Sequence, residues 1–391
     1  MKLISRSAMV GKWGRRVLLF AILMLAAAVP AGAAETSDRP EQQLGRLFVA
    51  SGMADGLAMA VIQNDRVQYF NFGTISPTSV QPPTPDTAFE IGSITKVFTS
   101  LLLAQAVVEG RVGLHDDIRQ HLPGDYPNLA WDGAPVQLVH LAETTSGLPD
   151  NIPDLAPYLA QGGAARAPFL IAERWQDYTE ADLLAALASA RLVSKPGAES
   201  RHSNVAASLL GIILERVYAE PYPSLVKRHI EQPFGMATGT GNRRPLAIGR
   251  DANGNTMPLI VGRHILAAGG LRYSSADLGR FVRAQIRAQS PAIRLSQQAT
   301  GGGQPATLGF NWQFASDRVH GRILRTSGGT FGSSSYVEIR PDRGCGLVLL
   351  ANRSGAEGAL YTLASEIWEK GLCGQRPVAP ISNSPAAPNK R

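Results

Sequence analysis

The sequence is poor in charged residues, in cysteine and in long apolar runs. Charged residues make up 18% of its 391 residues, apolar residues 44%, and two residues are cysteine. This composition is typical of an ordinary globular protein with one large or two smaller domains. The formal charge of +7 falls to +2 when segment 1–34, with five basic and no acidic residues, is set aside. The balanced remainder gives no support for nucleic-acid binding.

The sequence also lacks the patterns of metal and phosphate sites. His115-Asp116-Asp117 is typical of a helix start, and His140 of a packed apolar helix. The triplet 301–303 is glycine without a following lysine or helix, so it predicts a loop rather than a phosphate cradle. We therefore predict no metal site and no cofactor. The remaining histidines considered show no ligand spacing: His121, His229, His264 and His320.

The chain begins with an apolar run that is short for a membrane span. Basic residues precede the run 17–29, and Ala31-Gly32-Ala33 offers a small-residue cleavage site. We interpret 1–34 as an export signal cleaved near Ala33 or Ala34. The mature chain is then periplasmic or secreted, with no stable membrane span. Arg15-Arg16 leaves general and twin-arginine export both open.

Strand patterns occur early and late in the chain, and helical patterns dominate its middle. We predict an α+β fold in which segments 35–110 and 260–373 form an antiparallel sheet flanked by helices. Segment 111–259 is predicted to form a mostly helical second lobe, and 374–391 a disordered tail. The expected strands are 57–63, 67–72, 311–315, 322–325, 334–339 and 346–351, and the main expected helices are 40–50, 136–143, 180–190, 204–217, 222–230 and 359–372.

The two cysteines flank elements of similar length. Cys345 begins an apolar strand pattern and Cys373 ends a helical stretch, each about 20 Å long. A helix that folds back on its strand brings the two cysteines together. We predict a disulfide formed in an oxidising compartment, with two buried free thiols as the alternative.

Ser93 and Lys96 provide the main candidate for chemistry. Three residues apart on a helix, their side chains share one face. A serine hydroxyl is a weak nucleophile until a base takes its proton, and a poorly solvated lysine can be that base. The spacing is unspecific, because Ser224 and Lys227 repeat it.

Two further stretches follow Ser93 in a characteristic order. His202-Ser203-Asn204 comes shortly after Pro196-Gly197, and Thr326-Ser327-Gly328-Gly329 lies further on. With the Ser93 stretch, this order resembles the serine β-lactamase and penicillin-binding-protein superfamily, in particular its class C β-lactamase branch with DD-peptidase and esterase relatives. The resemblance extends from about residue 56 to 372 and implies the β-lactamase/transpeptidase-like fold.

The resemblance also implies a role for each matching residue. Ser93 would be acylated with Lys96 as its partner, and Asn204 would hold Lys96 or the substrate amide. The backbone N–H groups of Ser93 and Gly329 would form the oxyanion hole. On the strand that flanks the cleft, Thr326, Ser327 and Gly328 would contact the substrate, with Ser327 donating to a carboxylate.

The sequence departs from the family pattern at two positions. His202 replaces the usual tyrosine, and imidazole suits proton transfer at neutral pH. His202 is therefore either the general base or a space-filling residue in a slow or inactive enzyme. Thr326 replaces the usual lysine or histidine, which weakens recognition of a substrate carboxylate.

These observations together predict an exported, metal-independent serine hydrolase that forms an acyl-enzyme on Ser93. Its expected substrates are D-Ala-D-Ala cell-wall peptides, β-lactams or both, so its partner is a small molecule or a peptide. A monomer is expected. Two alternatives stay open: a carboxylesterase on the same scaffold, and a catalytically weak protein that binds penicillin or peptidoglycan.

Overall fold

The computed structural model describes residues 39–237, 239, 244–299, 308–317 and 321–373. The predicted export signal and C-terminal tail lie outside the described residues, as do the glycine triplet 301–303 and His320. None of the described helices is both long enough and apolar enough to cross a bilayer.

An antiparallel sheet of seven strands organises the described residues. In chain order the strands of the described residues are β1 Gly56–Gln63, β2 Arg66–Gly73, β3 Ala88–Glu90, β4 Ala130–Trp131, β5 Ala134–Pro135, β6 Arg272–Ser274, β7 Leu308–Gly309, β8 Trp312–Asp317, β9 Gly321–Gly329, β10 Ser334–Arg340 and β11 Cys345–Ala351. The strand order of the large sheet is β2-β1-β11-β10-β9-β8-β7, so the first hairpin pairs with the last strand of the chain. Two smaller pairs, β3 with β6 and β4 with β5, lie outside this sheet.

The described residues outside the strands include twelve α-helices. In chain order they are α1 Pro40–Ala50, α2 Thr95–Val108, α3 Leu138–Ala142, α4 Ala156–Asp177 (interrupted at Gly163), α5 Glu180–Ala188, α6 Asn204–Tyr218, α7 Tyr222–Val226, α8 Gln232–Phe234, α9 Leu266–Gly269, α10 Ser275–Arg287, α11 Pro291–Ser296 and α12 Glu357–Glu369. A π-helical turn, Lys227–Glu231, joins α7 to α8. Short 3₁₀ turns occur at Gly92–Ile94, Ile118–His121 and Pro341–Arg343.

Strand β1 is apolar on both faces because helices cover the sheet on both sides. Alternate residues of a strand point to opposite faces. Leu57 and Met59 pack in the cluster that includes residues of α1 and α12. Ala58 and Ala60 pack in the larger cluster that includes residues of α2 and α10. The sheet therefore holds α2, and with it the Ser93 turn, at a buried position.

The architecture confirms the predicted α+β class with an antiparallel sheet flanked by terminal helices. The division into an α/β lobe and a helical lobe at residues 110 and 259 stays a prediction. The predicted helix 136–143 is shorter, because the Val136 backbone pairs with Leu129 and Ile118. The Gln137 N–H donates to Nδ1 of His140 at 3.1 Å, which accounts for this histidine within a short apolar helix.

Two elements differ from the sequence expectation. The strand expected at 322–325 runs on to Gly329, so the Thr326 stretch lies on strand β9, where the family resemblance places it. Its glycines obscured the strand pattern, since glycine has low strand propensity. Helix α4 was not expected, because Pro168 and two glycines interrupt its sequence.

The cysteines are joined in the structure. Cys345 begins β11 and Cys373 follows α12, their sulfurs are bonded, and their Cα atoms lie 6.3 Å apart. The bond ties the last helix to the sheet strand that pairs with both β1 and β10.

The disulfide predicts the behaviour of the unfolded chain. Without reductant, the denatured protein should expose no free thiol, and after reduction it should expose two. Since the bond closes a loop with a sequence separation of 28, reduction should lower the free energy of unfolding by about 3–4 kcal/mol. Thiol titration in denaturant checks the first expectation and urea unfolding the second. Two thiols in the unreduced sample would contradict the bond.

The packing of α2 predicts a large cost for removing one aromatic ring. Phe98 is fully buried, with the rings of Tyr273 and Phe281 stacked on it at 5.0 and 4.3 Å. Phe98→Ala should lower the free energy of unfolding by about 3–5 kcal/mol, because it leaves a cavity beside α2. Phe169→Ala is the matched control, since Phe169 is 46% exposed. Equal urea midpoints for the two variants would contradict this account of the core.

Candidate active site

Ser93 lies on a tight turn between β3 and α2. The preceding Gly92 has a φ of +49°, a conformation that favours glycine. A Cβ atom at Gly92 would lie 2.6 Å from the Gly329 carbonyl oxygen and 2.7 Å from its nitrogen. The turn therefore packs directly against the end of β9, and a side chain at residue 92 would push Ser93 away from that strand.

Lys96 lies one helical turn beyond Ser93 and is almost completely buried. Its Nζ contacts the Ser93 Oγ at 2.9 Å, Oδ1 of Asn204 at 2.8 Å and the carbonyl oxygen of Ala268 at 2.8 Å. These partners come from the turn, from α6 and from α9. The structure thus brings the predicted nucleophile, its lysine and the motif asparagine together.

Burial lowers the pKa of Lys96 to about 7, although the negative charge of Asp150 acts in the opposite direction. Near neutral pH a large fraction of the amine is therefore uncharged. A neutral amine has two N–H donors and one lone pair. It can donate to Asn204 and Ala268 and accept the hydrogen of the Ser93 hydroxyl, so all three contacts stay satisfied when the proton is lost.

The His202-Ser203-Asn204 stretch forms the start of α6. Ser203 caps the helix by accepting from the Ala206 N–H at 3.0 Å. Its hydroxyl also donates to the Pro149 carbonyl oxygen at 2.7 Å, which ties the helix start to the 149–151 loop. Nε2 of His202 lies 3.4 Å from the Ser93 Oγ, which is at the long end for a hydrogen bond.

Asp150 is a member of the site that the sequence interpretation missed. One of its carboxylate oxygens, Oδ1, lies 2.7 Å from Nδ1 of His202. Burial raises the pKa of Asp150, but the hydrogen bond and the charge of His202 outweigh this and lower it below its usual value. The available signal was weak: Asp150 directly follows the Thr-Ser-Gly-Leu-Pro segment, 52 residues before His202.

Strand β9 forms the opposite wall of a cavity of about 390 Å³. All four residues of the Thr326–Gly329 stretch line it, together with Ser93, Lys96 and His202. A Cβ atom at Gly328 would lie 2.6 Å from the Ser93 nitrogen and 2.1 Å from the Ile91 carbonyl oxygen. Only glycine permits this approach of the strand to the nucleophile's backbone.

The charge on the cavity wall differs from that of a carboxylate-binding site. Thr326 is neutral and 7% exposed, and Glu143, which carries a carboxyl group, lines the same cavity. Among the described lining residues, the basic groups are Lys96 and the imidazole of His202. The arrangement suits a neutral acyl group better than a terminal carboxylate.

The other sequence candidates lie elsewhere. Ser224 and Lys227 are both exposed, away from the cavity. Asp117 caps the turn that begins at Ile118, in agreement with its interpretation as a helix start. In the part of the chain that the structure describes, no three histidine, cysteine or acidic side chains converge in a way that could hold a metal ion.

The sequence is similar to a known protein family over most of its length. The family model described as Beta-lactamase matches residues 43–370. The D-alanyl-D-alanine-carboxypeptidase/endopeptidase AmpH of Escherichia coli K12 is 27% identical over 373 residues, covering 87% of this chain and 92% of AmpH. A beta-lactamase of Pseudomonas fluorescens is 25% identical over 342 residues, covering 76% and 88%.

Solved structures agree with the match. The Beta-lactamase/D-alanine Carboxypeptidase of Yersinia pestis, complexed with citrate, superposes with a TM-score of 0.67 at 26% identity, covering 84% of this chain and 98% of that structure. A class C beta lactamase of Rhodobacter sphaeroides, 20% identical with a TM-score of 0.69, shares the fold. The resemblance drawn from the motifs is confirmed, and the chain belongs to the Beta-lactamase family, as a serine hydrolase of the serine β-lactamase and penicillin-binding-protein superfamily.

Proposed function

We propose that the protein is an exported serine hydrolase that acts on D-Ala-D-Ala cell-wall peptides, β-lactams or both, through an acyl-enzyme on Ser93. One observation carries the proposal: the Ser93 Oγ lies 2.9 Å from a buried amine whose pKa is lowered to about 7. Such an amine can accept the serine's proton at neutral pH, which makes the hydroxyl a usable nucleophile.

The two bases of the site divide the proton transfers in this proposal. In acylation, Lys96 takes the hydroxyl proton as the Ser93 Oγ bonds to the substrate carbonyl carbon. The carbon–nitrogen bond then breaks, and the proton taken from Ser93 passes from Lys96 through His202, on the open side of the cavity, to the leaving nitrogen. In deacylation, His202 removes a proton from water, whose oxygen attacks the ester, and returns that proton to the Ser93 Oγ as the ester bond breaks. The imidazole suits both steps because one ring can accept a proton and pass it on.

The carbonyl oxygen needs donors as it gains negative charge. The proposed donors are the backbone N–H groups of Ser93 and Gly329, as the family resemblance implies. The close approach of the Gly92 turn to Gly329 supports this assignment. One such donor contributes about 3–4 kcal/mol to transition-state stabilisation.

The relatives support peptide or β-lactam substrates, since AmpH and the Yersinia pestis protein are named for D-alanine carboxypeptidase activity. The cavity lining favours a second candidate, an esterase, because Thr326 supplies no cation for a terminal carboxylate and Glu143 lines the same cavity. Ser327, which is exposed on β9, is the proposed donor to a carboxylate if one is bound. The third candidate, a protein that binds penicillin or peptidoglycan without turnover, predicts binding that does not depend on Ser93.

One experiment separates these functions. The mature protein and Ser93→Ala are incubated with a penicillin, a D-Ala-D-Ala peptide and a p-nitrophenyl ester, and intact mass and product are followed over time. Wild type should gain the mass of the acyl group and release product from the peptide or the penicillin. Ser93→Ala should show no adduct and a rate at least about 10³-fold lower, because the nucleophile is absent.

The other outcomes are equally informative. Turnover of the ester alone would favour the esterase. A persistent penicillin adduct without product would indicate acylation without deacylation. Equal binding by wild type and Ser93→Ala, with no adduct on either, would refute covalent catalysis at Ser93.

The lowered pKa of Lys96 predicts how stability depends on pH. Unfolded lysine titrates near 10.5 and the buried amine near 7, so between these values the unfolded chain binds more protons and this group makes stability rise with pH. Below pH 7 Lys96 is protonated in both the folded and the unfolded chain, so the buried charge lowers the free energy of unfolding by its full amount. Lys96→Met removes that cost, so its stability relative to wild type should be greatest at pH 6 and fall by about 4 kcal/mol toward pH 10.

Urea unfolding of both proteins at pH 6, 8 and 9.5 measures this difference. Lys227→Met is the matched control, because Lys227 is exposed and its replacement should leave a difference that is flat with pH. A flat difference for Lys96→Met as well would show that the amine is not desolvated, and the proposed acylation base would then be wrong.

Export and a monomeric state complete the proposal. Export rests on the sequence of segment 1–34. Secretion of the full chain with loss of about 34 residues, found by mass, and light scattering of the mature protein test the two statements.

A further inference from the structure

The site contains a hydrogen-bonded series that the family's usual motif does not call for. The Ser93 Oγ lies 3.4 Å from Nε2 of His202, and Nδ1 of the same ring lies 2.7 Å from Oδ1 of Asp150. We propose that Asp150 is a positioning residue that orients the His202 ring and selects its tautomer, so that Nε2 faces the reacting atoms as a proton acceptor. This inference rests on the proposed function of His202 and adds a residue to it.

The chemistry of the contact selects the tautomer. An ionised carboxylate only accepts hydrogen bonds, so the nitrogen that faces it must carry the hydrogen. With Nδ1 protonated, the neutral ring has its lone pair on Nε2, which points to Ser93. The opposite tautomer would place two acceptors 2.7 Å apart and would direct an N–H toward the serine. A carboxylate at residue 150 therefore makes His202 a base toward the cavity.

The backbone holds the carboxylate and the imidazole as one unit. The Asp150 carbonyl oxygen accepts from the N–H groups of Asn204 at 2.8 Å and Val205 at 3.2 Å. The Asn204 N–H also lies 3.4 Å from Oδ1 of Asp150. These N–H groups belong to the first turn of α6, whose partial positive charge favours a carboxylate at that place. Since His202 immediately precedes the same helix start, the two side chains keep a constant separation.

Asp150 can orient the side chain at residue 202 only because that residue is a histidine. A tyrosine, the usual family residue here, has one titratable oxygen and no second nitrogen to be oriented. A carboxylate beside it would oppose the phenolate that a tyrosine base must form. Asp150 should therefore help His202 and not help a tyrosine at the same position.

Two other roles for Asp150 would act differently. A residue that only stabilises the 149–151 loop would affect every residue at position 202 equally. The Asp150 charge also raises the pKa of Lys96, so a residue that acts only through Lys96 would, once neutralised, leave more of that amine uncharged at neutral pH. In that case the substitution should preserve or increase the acylation rate instead of lowering it.

A double-mutant cycle distinguishes these roles. Asp150→Asn is made in wild type and in His202→Tyr, and kcat and KM are measured on the substrate with the fastest turnover, alongside thermal unfolding. In wild type, kcat should fall about 10²-fold with KM within about threefold, since the substitution removes the tautomer selection needed for proton transfer. In His202→Tyr, the same substitution should leave kcat unchanged or raise it.

Two further variants test whether the effect on kcat depends on a carboxylate at residue 150. Asp150→Glu should recover part of the lost kcat, because it restores a carboxylate. Asp154→Asn is the matched control: Asp154 is exposed in the following loop, where its side chain accepts from the Ala156 N–H, and kcat should not change. An equal loss from Asp150→Asn on both backgrounds, or no loss in wild type, would overturn the inference.

A tautomer measurement tests the inference without any turnover. In protein labelled with ¹⁵N-histidine, with His202→Gln to assign the signal, His202 should show a protonated Nδ1 and an unprotonated Nε2. Asp150→Asn should shift the population toward the Nε2–H form, because the amide N–H can now donate to Nδ1. An unchanged tautomer would overturn the role of Asp150. If the tautomer shifts but neither wild type nor any variant forms an acyl adduct, the proposed function fails, while the role of Asp150 in positioning His202 stands.

Discussion

The site depends on the removal of one lysine amine from water. Lys96 is held by a serine, an asparagine and a backbone carbonyl that come from separate parts of the chain. Burial of a charged amine without a carboxylate partner is costly, and the amine responds by losing proton affinity. Lys96 therefore lowers the stability of the folded protein, and in return it supplies a base next to the Ser93 hydroxyl. Such local conflict between stability and chemistry is common at functional sites.

The sheet brings the backbone of β9 very close to the backbone of the Ser93 turn. Gly92 and Gly328 occupy the contact between the Ser93 turn and β9, where any side chain would collide with main-chain atoms. This contact places Ser93 against the strand that closes the cavity. The same strand pairs with β10, and through it with β11 and β1, so the cavity wall is continuous with the core of the sheet.

The two basic groups of the site differ in exposure, and their chemistry differs accordingly. Lys96 is buried below Ser93, where desolvation controls its proton affinity. His202 is half exposed on the cavity side, where its Nδ1 contacts the Asp150 carboxylate. A buried base suits the first proton transfer, from the nucleophile. A solvent-side base suits transfers that involve the leaving group and water. Histidine at residue 202 and a carboxylate at residue 150 fit together, because an imidazole has a second nitrogen that Asp150 can orient and a tyrosine does not.

The sequence by itself determined the elements that depend on local chemistry. The hairpin of β1 and β2, the helices α1 and α6 and the Ser93–Lys96 spacing all follow from residue pattern and turn residues. Motif order was sufficient to predict the family, because the family's motifs keep their order along the chain. Strand β9 was harder to predict, since its glycines serve a tertiary contact and weaken the local signal.

Only the tertiary structure decided how distant residues combine. Asp150 meets His202 across 52 positions, and Lys96 meets the Ala268 carbonyl across 172. Nothing in the spacing of these residues marks them as partners, because their contacts depend on how α6 and α9 pack against α2. The lowered pKa of Lys96 is likewise a property of the packed protein, since it arises from the exclusion of water by segments that are remote in sequence.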